Sequence, residues 1–457
     1  MLIRRVTERV PVSALDFEER GTMARKLSRR SFVGKAALAA AFATGSARAR
    51  SQGASDKLLL GFIGIANRGT QLLRSFLKDP RIEVAAFCDV DKRMIDKAQK
   101  LLKSPVPAYT DFRKLLEVKE IDAVVIATPD HWHALQTIYA CQAGKDVYVE
   151  KPLSITIVEG RRMVQAARKY KRVVQVGTHR RSSETYHRFV RYVREGNLGK
   201  VTVSRAYRLS NMWPTGIGKV KPSKPPRELD WDMWLGPRPF RPYQENIHPY
   251  KFRWWKSYSS QVANWGVHYF DAIRWIIDED APKKVAALGG VYAVSDDRTI
   301  PDTLEVTFEM PKGSLIVFGQ YEANMTQARY RGCDVEIRGT IGTAFVTHKG
   351  YTVVPEKGGQ FVDPAPRMKP VRYSSKEGDP TDRHVRNFVD CVFSRKKPNA
   401  DVEIGHRSTT FSLLANIALE TGAVLTWDPE NEKVLDPKRA NEYLHYEYRA
   451  PWKLPEL

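Results

Sequence analysis

From Lys57 onward, short apolar runs alternate with amphipathic stretches. Unbroken apolar runs predict strands over 58–65, 83–87, 123–127, 147–149 and 173–176. Apolar residues at three- and four-residue spacing predict helices over 70–78, 91–102, 111–116, 133–143 and 157–170. Strands that read as continuously apolar are buried on both faces, which is the habit of parallel sheets. Strict β-α alternation therefore predicts a doubly wound parallel sheet of Rossmann type over 57–178.

The rhythm changes beyond residue 179. A helix over 186–194 closes on Glu195-Gly196, where glycine suits the C-cap. A strand over 201–207 leads into 211–258, a long stretch rich in proline and aromatic residues. It holds Trp213, Trp231, Trp234, Trp254 and Trp255. Flat rings suit the apolar faces of pyranoses, so the stretch can wall a sugar site; equally, a long loop packs on its own aromatic side chains. A helix over 261–277 follows. Period-two segments then run over 284–291, 303–309, 314–321, 334–338 and 343–347, and helices over 384–392 and 408–423. The expectation is an α/β chain: a Rossmann domain (57–178) plus an α+β domain (179–457) with an open, largely antiparallel sheet. The open face of such a sheet suits a partner subunit, so a homodimer or homotetramer is expected.

The first fifty residues read as an address. Ser28-Arg29-Arg30-Ser31-Phe32-Val33-Gly34-Lys35 resembles a twin-arginine export signal. A small-residue apolar run over 36–45 and Ala47-Arg48-Ala49 complete the pattern. The run is too short for a membrane anchor. Acidic residues before Met23 make Met23 an alternative to Met1 as the start. Twin-arginine export carries folded proteins, so the signal predicts a periplasmic or secreted enzyme that acquires a tightly held cofactor before export.

Composition narrows the classes. Hydrophobic residues make up 42% of 457 positions, enough for a large core. The four cysteines form no CxxC pair, which argues against a zinc site or a disulfide scaffold, and no metal is expected. Net charge is +22. Without residues 1–49, 64 Lys and Arg remain against 48 Asp and Glu, or +16. The basic residues are dispersed, with no zinc finger or basic helical arm, so nucleic acid is not the expected partner. Acidic or sulfated sugars are a better use of the charge, and a merely solvated surface is a commoner one still.

The chemistry starts where the first strand ends. Gly64-x-Ala66-x-x-Gly69 is a dinucleotide fingerprint with alanine at its second small position. The turn needs Gly64, the backbone must approach a pyrophosphate at Ala66, and Gly69 lets helix meet strand. Gly64, Ala66, Asn67, Arg68 and Gly69 are the expected cradle. Asp89 follows Gly69 by 20 residues, at the end of the second strand, where a carboxylate takes ribose hydroxyls and repels a 2′-phosphate. NAD is therefore the expected cofactor; Lys92 and Arg93 nearby keep NADP open.

Three further stretches carry a family likeness. They are Ala127-Thr128-Pro129-Asp130-His131-Trp132-His133-Ala134, Glu150-Lys151-Pro152-Leu153 and Asn264-Trp265-Gly266-Val267-His268-Tyr269-Phe270-Asp271. With the glycine loop they resemble the glucose–fructose oxidoreductase / inositol dehydrogenase (Gfo/Idh/MocA) family, from about Lys57 to the C-terminus. The glycine loop is common to many folds; the Glu-Lys-Pro and Asp-His-Trp-His elements are more specific. The resemblance implies that Thr128, Pro129, His131, Glu150 and Lys151 lie by the cofactor, with Trp132 and His133 toward substrate. It also implies a cis peptide before Pro152. Lys151 follows an apolar strand, so it emerges at the carboxyl edge of the sheet, where α/β ligands bind. An ammonium there stabilises a developing alkoxide; the bland alternative is a surface lysine at a strand end.

The family carries an aspartate four residues before its histidine; here the pair is Asn264 and His268. Asparagine takes up no proton, so His268 is the expected general base, or else a buried structural histidine. Asp271 is expected to orient it or to touch substrate, or else to be only a structural partner. The implied activity is NAD-dependent oxidation of a CH–OH group in a sugar or polyol. A redox-neutral glycosidase or lyase using transient sugar oxidation, and a non-catalytic secreted carbohydrate binder, are the alternatives.

Overall fold

The computed structural model describes residues 57–326 and 333–457. The twin-arginine pattern and its cleavage site lie outside the described residues. The first sheet is built from β1 (Leu58–Ile63), α1 (Asn67–Phe76), β2 (Ile82–Cys88), α2 (Lys92–Gln99), β3 (Ala108–Tyr109), α3 (Phe112–Leu116), β4 (Ala123–Ile126), α4 (His133–Gln142), β5 (Asp146–Val149), α5 (Ile157–Lys169) and β6 (Val174–Val176). Its six parallel strands run in the order 3-2-1-4-5-6, the doubly wound Rossmann order. Every residue of β4, β5 and β6 is buried, the physical counterpart of their unbroken apolar sequence. Local chemistry starts the helices. Asp91 and Asp111 cap α2 and α3, and Thr156 with Glu159 forms a capping box on α5.

The remainder comprises α6 (Glu184–Arg194), β7 (Val201–Asn211), α7 (Trp231–Leu235), α8 (Val267–Ile277), β8 (Lys284–Gly290), β9 (Thr303–Met310), β10 (Ser314–Tyr321), β11 (Ala323–Asn324), β12 (Val335–Gly339), β13 (Gly342–Thr347), β14 (Gly350–Pro355), β15 (Val371–Ser374), α9 (Thr381–Ser394), α10 (Val402–Thr421), β16 (Leu425–Asp428) and β17 (Lys433–Asp436). The second sheet runs 15-14-13-12-7-10-9-8-16-17, with β11 on β7. Only β7 and β10 pair in parallel; the other pairs are antiparallel. The α/β class with a Rossmann sheet and a mostly antiparallel second sheet is thus as expected.

One face of the second sheet buries Phe308 and Phe318 against Phe270 of α8 and Phe411 of α10. The other face leaves Leu288 80% and Leu315 40% exposed. Helix α9 returns to the first sheet, where Phe388 meets Phe76 and Tyr148 edge-on. The aromatic stretch over 211–258 builds its own small core. Trp231 and Trp234 stack at 4.6 Å, and Trp254, Trp255 and Tyr258 are buried with them. Of its five tryptophans only Trp213 is well exposed, at 62%. Self-packing, not an open sugar wall, is therefore what most of these rings do.

Candidate functional site

The glycine loop closes tightly because its small residues leave no room for side chains. Gly64 has a positive φ of 80°, and a Cβ there would lie 2.7 Å from the Thr128 nitrogen. A Cβ on Gly69 would stand 2.1 Å from the Gly64 carbonyl oxygen, and backbone cannot move aside cheaply. Ala66 occupies the N-cap position of α1, and Ala66, Asn67 and Arg68 at the start of that helix line the crevice. Asp89 ties the loop to β2: one carboxylate oxygen accepts from the Ile65 amide (2.9 Å) and the other from the Asp91 amide (3.0 Å). Burial raises its pKa, while those two amides oppose the shift. Gly69→Ala is expected to force the loop open and weaken dinucleotide binding about tenfold or more, as read by NAD titration.

A crevice begins at this loop. Gly64, Ala66, Asn67, Arg68 and Asp89 line one side, with Thr128, Pro129 and Trp132 beside them. The opposite wall comes from the aromatic stretch: Met233, Trp234, His248, Tyr250, Phe252 and Arg253. That wall is fastened where a ribose would sit. The Asp230 amide donates to the Val90 carbonyl (2.9 Å) and the Lys92 amide to the Glu228 carbonyl (3.1 Å). The His248 Nε2 lies 3.0 Å from the buried Asp91 carboxylate, which also binds Arg93 at 2.6 Å. Arg93 and His248 hold the Asp91 carboxyl well below its usual range, against the opposing effect of its burial. The cradle, the largely buried Asp89 at the crevice wall and the covered crevice fit a dinucleotide.

The reacting end lies deeper, at the carboxyl edge of β5 and β6. The Lys151–Pro152 peptide is cis, as the family likeness implied. Lys151 Nζ donates to both the backbone and side-chain oxygens of Asn264, at 2.7 and 2.8 Å. The backbone oxygen is within reach because Val262–Gly266 is a π-helical turn ahead of α8, where an α-helix over 261–277 was expected. Burial, and secondarily Arg253 and Arg68, lowers the Lys151 pKa to about 8, opposed by Glu150 and Asp130. Glu150 accepts from Arg68 Nε at 2.8 Å. A Cβ on Gly177 would press on this carboxylate at 2.8 Å, so glycine leaves it space.

His268 is 6% exposed, and its Nδ1 has no hydrogen-bond partner among the described residues. Its ring centroid is 5.0 Å from that of His179. Burial, together with Lys151, Arg180, His179 and Arg68, holds its pKa well below the ordinary value, so the resting ring is neutral. Burial likewise lowers His179 to about 3. His179 was not singled out in the sequence, although it follows the β6 strand at the same sheet edge, where the rule that found Lys151 applies.

Other expected site residues are engaged elsewhere. Asp271 does not reach His268: it accepts from Arg181 Nε at 3.0 and 3.1 Å and from Ser408 Oγ at 2.7 Å. His133 is buried between the carbonyls of Pro152 (2.7 Å) and Thr128 (3.0 Å), where it braces the Lys151 turn instead of facing substrate. His131 turns away from the crevice, its Nε2 2.9 Å from the Trp234 carbonyl and its ring against Tyr258. Trp132 lines the crevice while its indole donates to that same carbonyl at 3.0 Å. Asp130 is buried and accepts from Ser259 Oγ, so it fastens the aromatic stretch and does not cap a helix through its side chain. Among the described residues, no group of His, Cys, Asp and Glu is arranged to hold a metal, and no helix is long and apolar enough to cross a membrane.

Comparison with known proteins agrees with this geometry. A family model described as the Gfo/Idh/MocA oxidoreductase family, NAD-binding Rossmann fold, matches residues 58–178. A second, the same family's C-terminal alpha/beta domain, matches residues 187–454. An alpha-N-acetylgalactosaminidase of Shewanella oneidensis is 35% identical over 116 residues, 24% of this chain and 25% of that protein. A glycosyl hydrolase family 109 protein of Saccharopolyspora erythraea is 31% identical over 156 residues, 32% of this chain and 34% of that one. The chain thus spans about a quarter to a third of the length of these curated relatives. Among solved structures, the aldose-aldose oxidoreductase of Caulobacter crescentus superposes with a TM-score of 0.61 at 16% identity, over 81% of this chain and 99% of that one. The scyllo-inositol dehydrogenase of Lactobacillus casei, solved with NAD(H) and scyllo-inositol, gives 0.59 at 21% identity over the same shares.

Proposed function

The chain belongs to the Gfo/Idh/MocA oxidoreductase family, with its NAD-binding Rossmann domain, and from that premise we propose an exported, NAD-dependent enzyme that oxidises a CH–OH group of a sugar or polyol. One observation carries the reading: a neutral His268 and the half-buried Lys151 ammonium lie together at the carboxyl edge of the dinucleotide-binding sheet. NAD, when bound, supplies the hydride acceptor. The loop Gly64–Gly69 would hold its diphosphate and Asp89 its adenosine ribose. His268 takes the hydroxyl proton, and Lys151 donates to the oxygen as negative charge develops on it. Asn264 orients Lys151 but, unlike a carboxylate, neither accepts its proton nor adds charge.

NAD over NADP is supported by Asp89 and by Arg93, the nearby cation already committed to Asp91. The wall over 228–253, fastened across the crevice mouth, supports a cofactor that stays bound between turnovers. Such retention suits export by the twin-arginine route, to the periplasm or the outside. The exposed apolar residues of the second sheet's open face support a homodimer or homotetramer. A second reading is favoured by the curated relatives: a glycosidase that oxidises and re-reduces its sugar in one cycle.

Purified protein, assayed for bound nucleotide by mass spectrometry and for absorbance near 340 nm with a sugar panel, tests both. The expected result is retained NAD and net reduction with at least one sugar. Glycoside cleavage with no net redox change transfers the conclusion to the second reading. A crevice that binds neither coenzyme would sink both.

A further inference from the structure

Residues 445–457 form neither helix nor strand, and side chains hold them in place. Tyr448 Oη donates to Glu159 of α5 at 2.6 Å, and the Arg162 guanidinium donates to the Pro455 carbonyl at 3.1 Å. Glu159 is fully buried and closes the capping box of α5, so the segment is moored on a fixed point beside the first sheet. Leu454 and Leu457 pack on the apolar core of that sheet.

From this mooring the segment meets residues of both crevice walls. Trp452 is buried, edge-on to Trp132 with ring centroids 4.8 Å apart and stacked with Phe112 at 6.3 Å. Arg113 lies over the same indole, 5.0 Å from its centroid. Trp132 and Phe112 both line the crevice, on connections of the first sheet. Three residues earlier, Arg449 holds the opposite wall. Its Nε donates to the Gly236 carbonyl at 3.0 Å, its Nη2 to the Asp232 carbonyl at 2.9 Å, and its amide to the Pro237 carbonyl at 2.9 Å. Those carbonyls lie in α7 and just after it, where a helix runs out of its own donors. Met233 and Trp234 of α7 line the crevice. The walls meet closely here: a Cβ on Gly236 would stand 2.1 Å from the Trp132 ring.

The Trp132 indole and the bridges around Asp91 join the two walls directly. The segment 445–457 adds a clamp that belongs to neither wall. An irregular segment without a backbone ladder is ordered by what it is tied to, and these ties go to both sides of one crevice. Resting on the reading of a retained NAD above, we propose that residues 445–457 are a strap that holds the crevice closed over the cofactor. Arg449 and Trp452 are its positioning residues: neither lines the crevice, and each acts through a group that does. The strap therefore governs how fast the dinucleotide leaves.

A chase experiment tests this. Protein loaded with NADH is mixed with excess NAD, and release is followed by NADH fluorescence at a temperature where melting curves show every variant folded. Arg449→Ala and Trp452→Ala release NADH about tenfold or more faster than the parent. Trp452→Phe, which keeps a ring against Trp132 and Phe112, recovers part of the retention. Val353→Ala opens a cavity in the core under β14, away from the strap; it lowers the melting temperature and leaves release at the parental rate. Arg449→Ala removes only hydrogen bonds at a partly exposed position, so it carries the test even where Trp452→Ala does not fold. Parental release in Arg449→Ala and in whichever Trp452 variants fold, or release from Val353→Ala as fast as theirs, overturns the strap. A parent protein that takes up no NADH at all sinks the cofactor reading itself, and the strap with it.

Discussion

Lys151→Met is expected to lower kcat about a thousandfold while NAD remains bound. The methionine side chain fills a similar volume, so the turn at cis-Pro152 and the brace from His133 stay in place. What disappears is the ammonium beside the developing alkoxide. Its partner Asn264 is neutral, so no unpaired carboxylate is left behind and the fold is spared. The same argument gives a pH dependence. Burial favours the neutral amine, so Lys151 carries its charge below about pH 8 and loses it above. His268 is already neutral through this range, because its pKa is held far below. Sugar oxidation should therefore fall as pH rises through about 8, and the falling limb should be absent from the residual rate of Lys151→Met. A variant with near-parental turnover, or one that keeps the limb, would remove Lys151 from the chemistry.

The first sheet was readable because its strands are buried on both faces, which writes them as unbroken apolar runs between amphipathic helices. The cradle was readable because backbone crowding at Gly64 and Gly69 leaves a local signature. Residues whose roles depend on distant partners were not. Asp271 sits one turn from His268 in the chain, yet its bonds go to Arg181 and Ser408, 90 and 137 positions away. Trp452 stands in an irregular segment, and only the fold sets it on Trp132. The aromatic stretch was ambiguous for a related reason: rings that could meet a sugar and rings that pack on one another have the same composition. The strands β14 to β17 escaped notice because they are short and near the sheet edges, where alternation is brief.

Asp271→Ala separates a structural carboxylate from a catalytic one. Asp271 has no exposed surface and faces Arg181, itself 8% exposed, with Arg274 Nη1 3.9 Å away. Arg181 also lies over the Trp275 ring, 4.9 Å from its centroid. Removing the carboxylate leaves this guanidinium buried with no opposite charge, while Ser408 keeps its bonds to the Ile404 carbonyl and to Arg274. Breaking one side of a buried ion pair costs about 3–5 kcal/mol, because the remaining charge cannot be rehydrated where it lies. A large drop in the urea midpoint is therefore expected. Asp271→Asn should recover part of it, since the amide oxygen still accepts from Arg181 and Ser408. The folded fraction of either variant should keep the parent's kcat and its pH profile, because His268 gains nothing from Asp271. If Asp271 instead set the imidazole's orientation, the pH profile of kcat would move while the midpoint stayed put, and the division of labour between these two neighbours on α8 would have to be reversed.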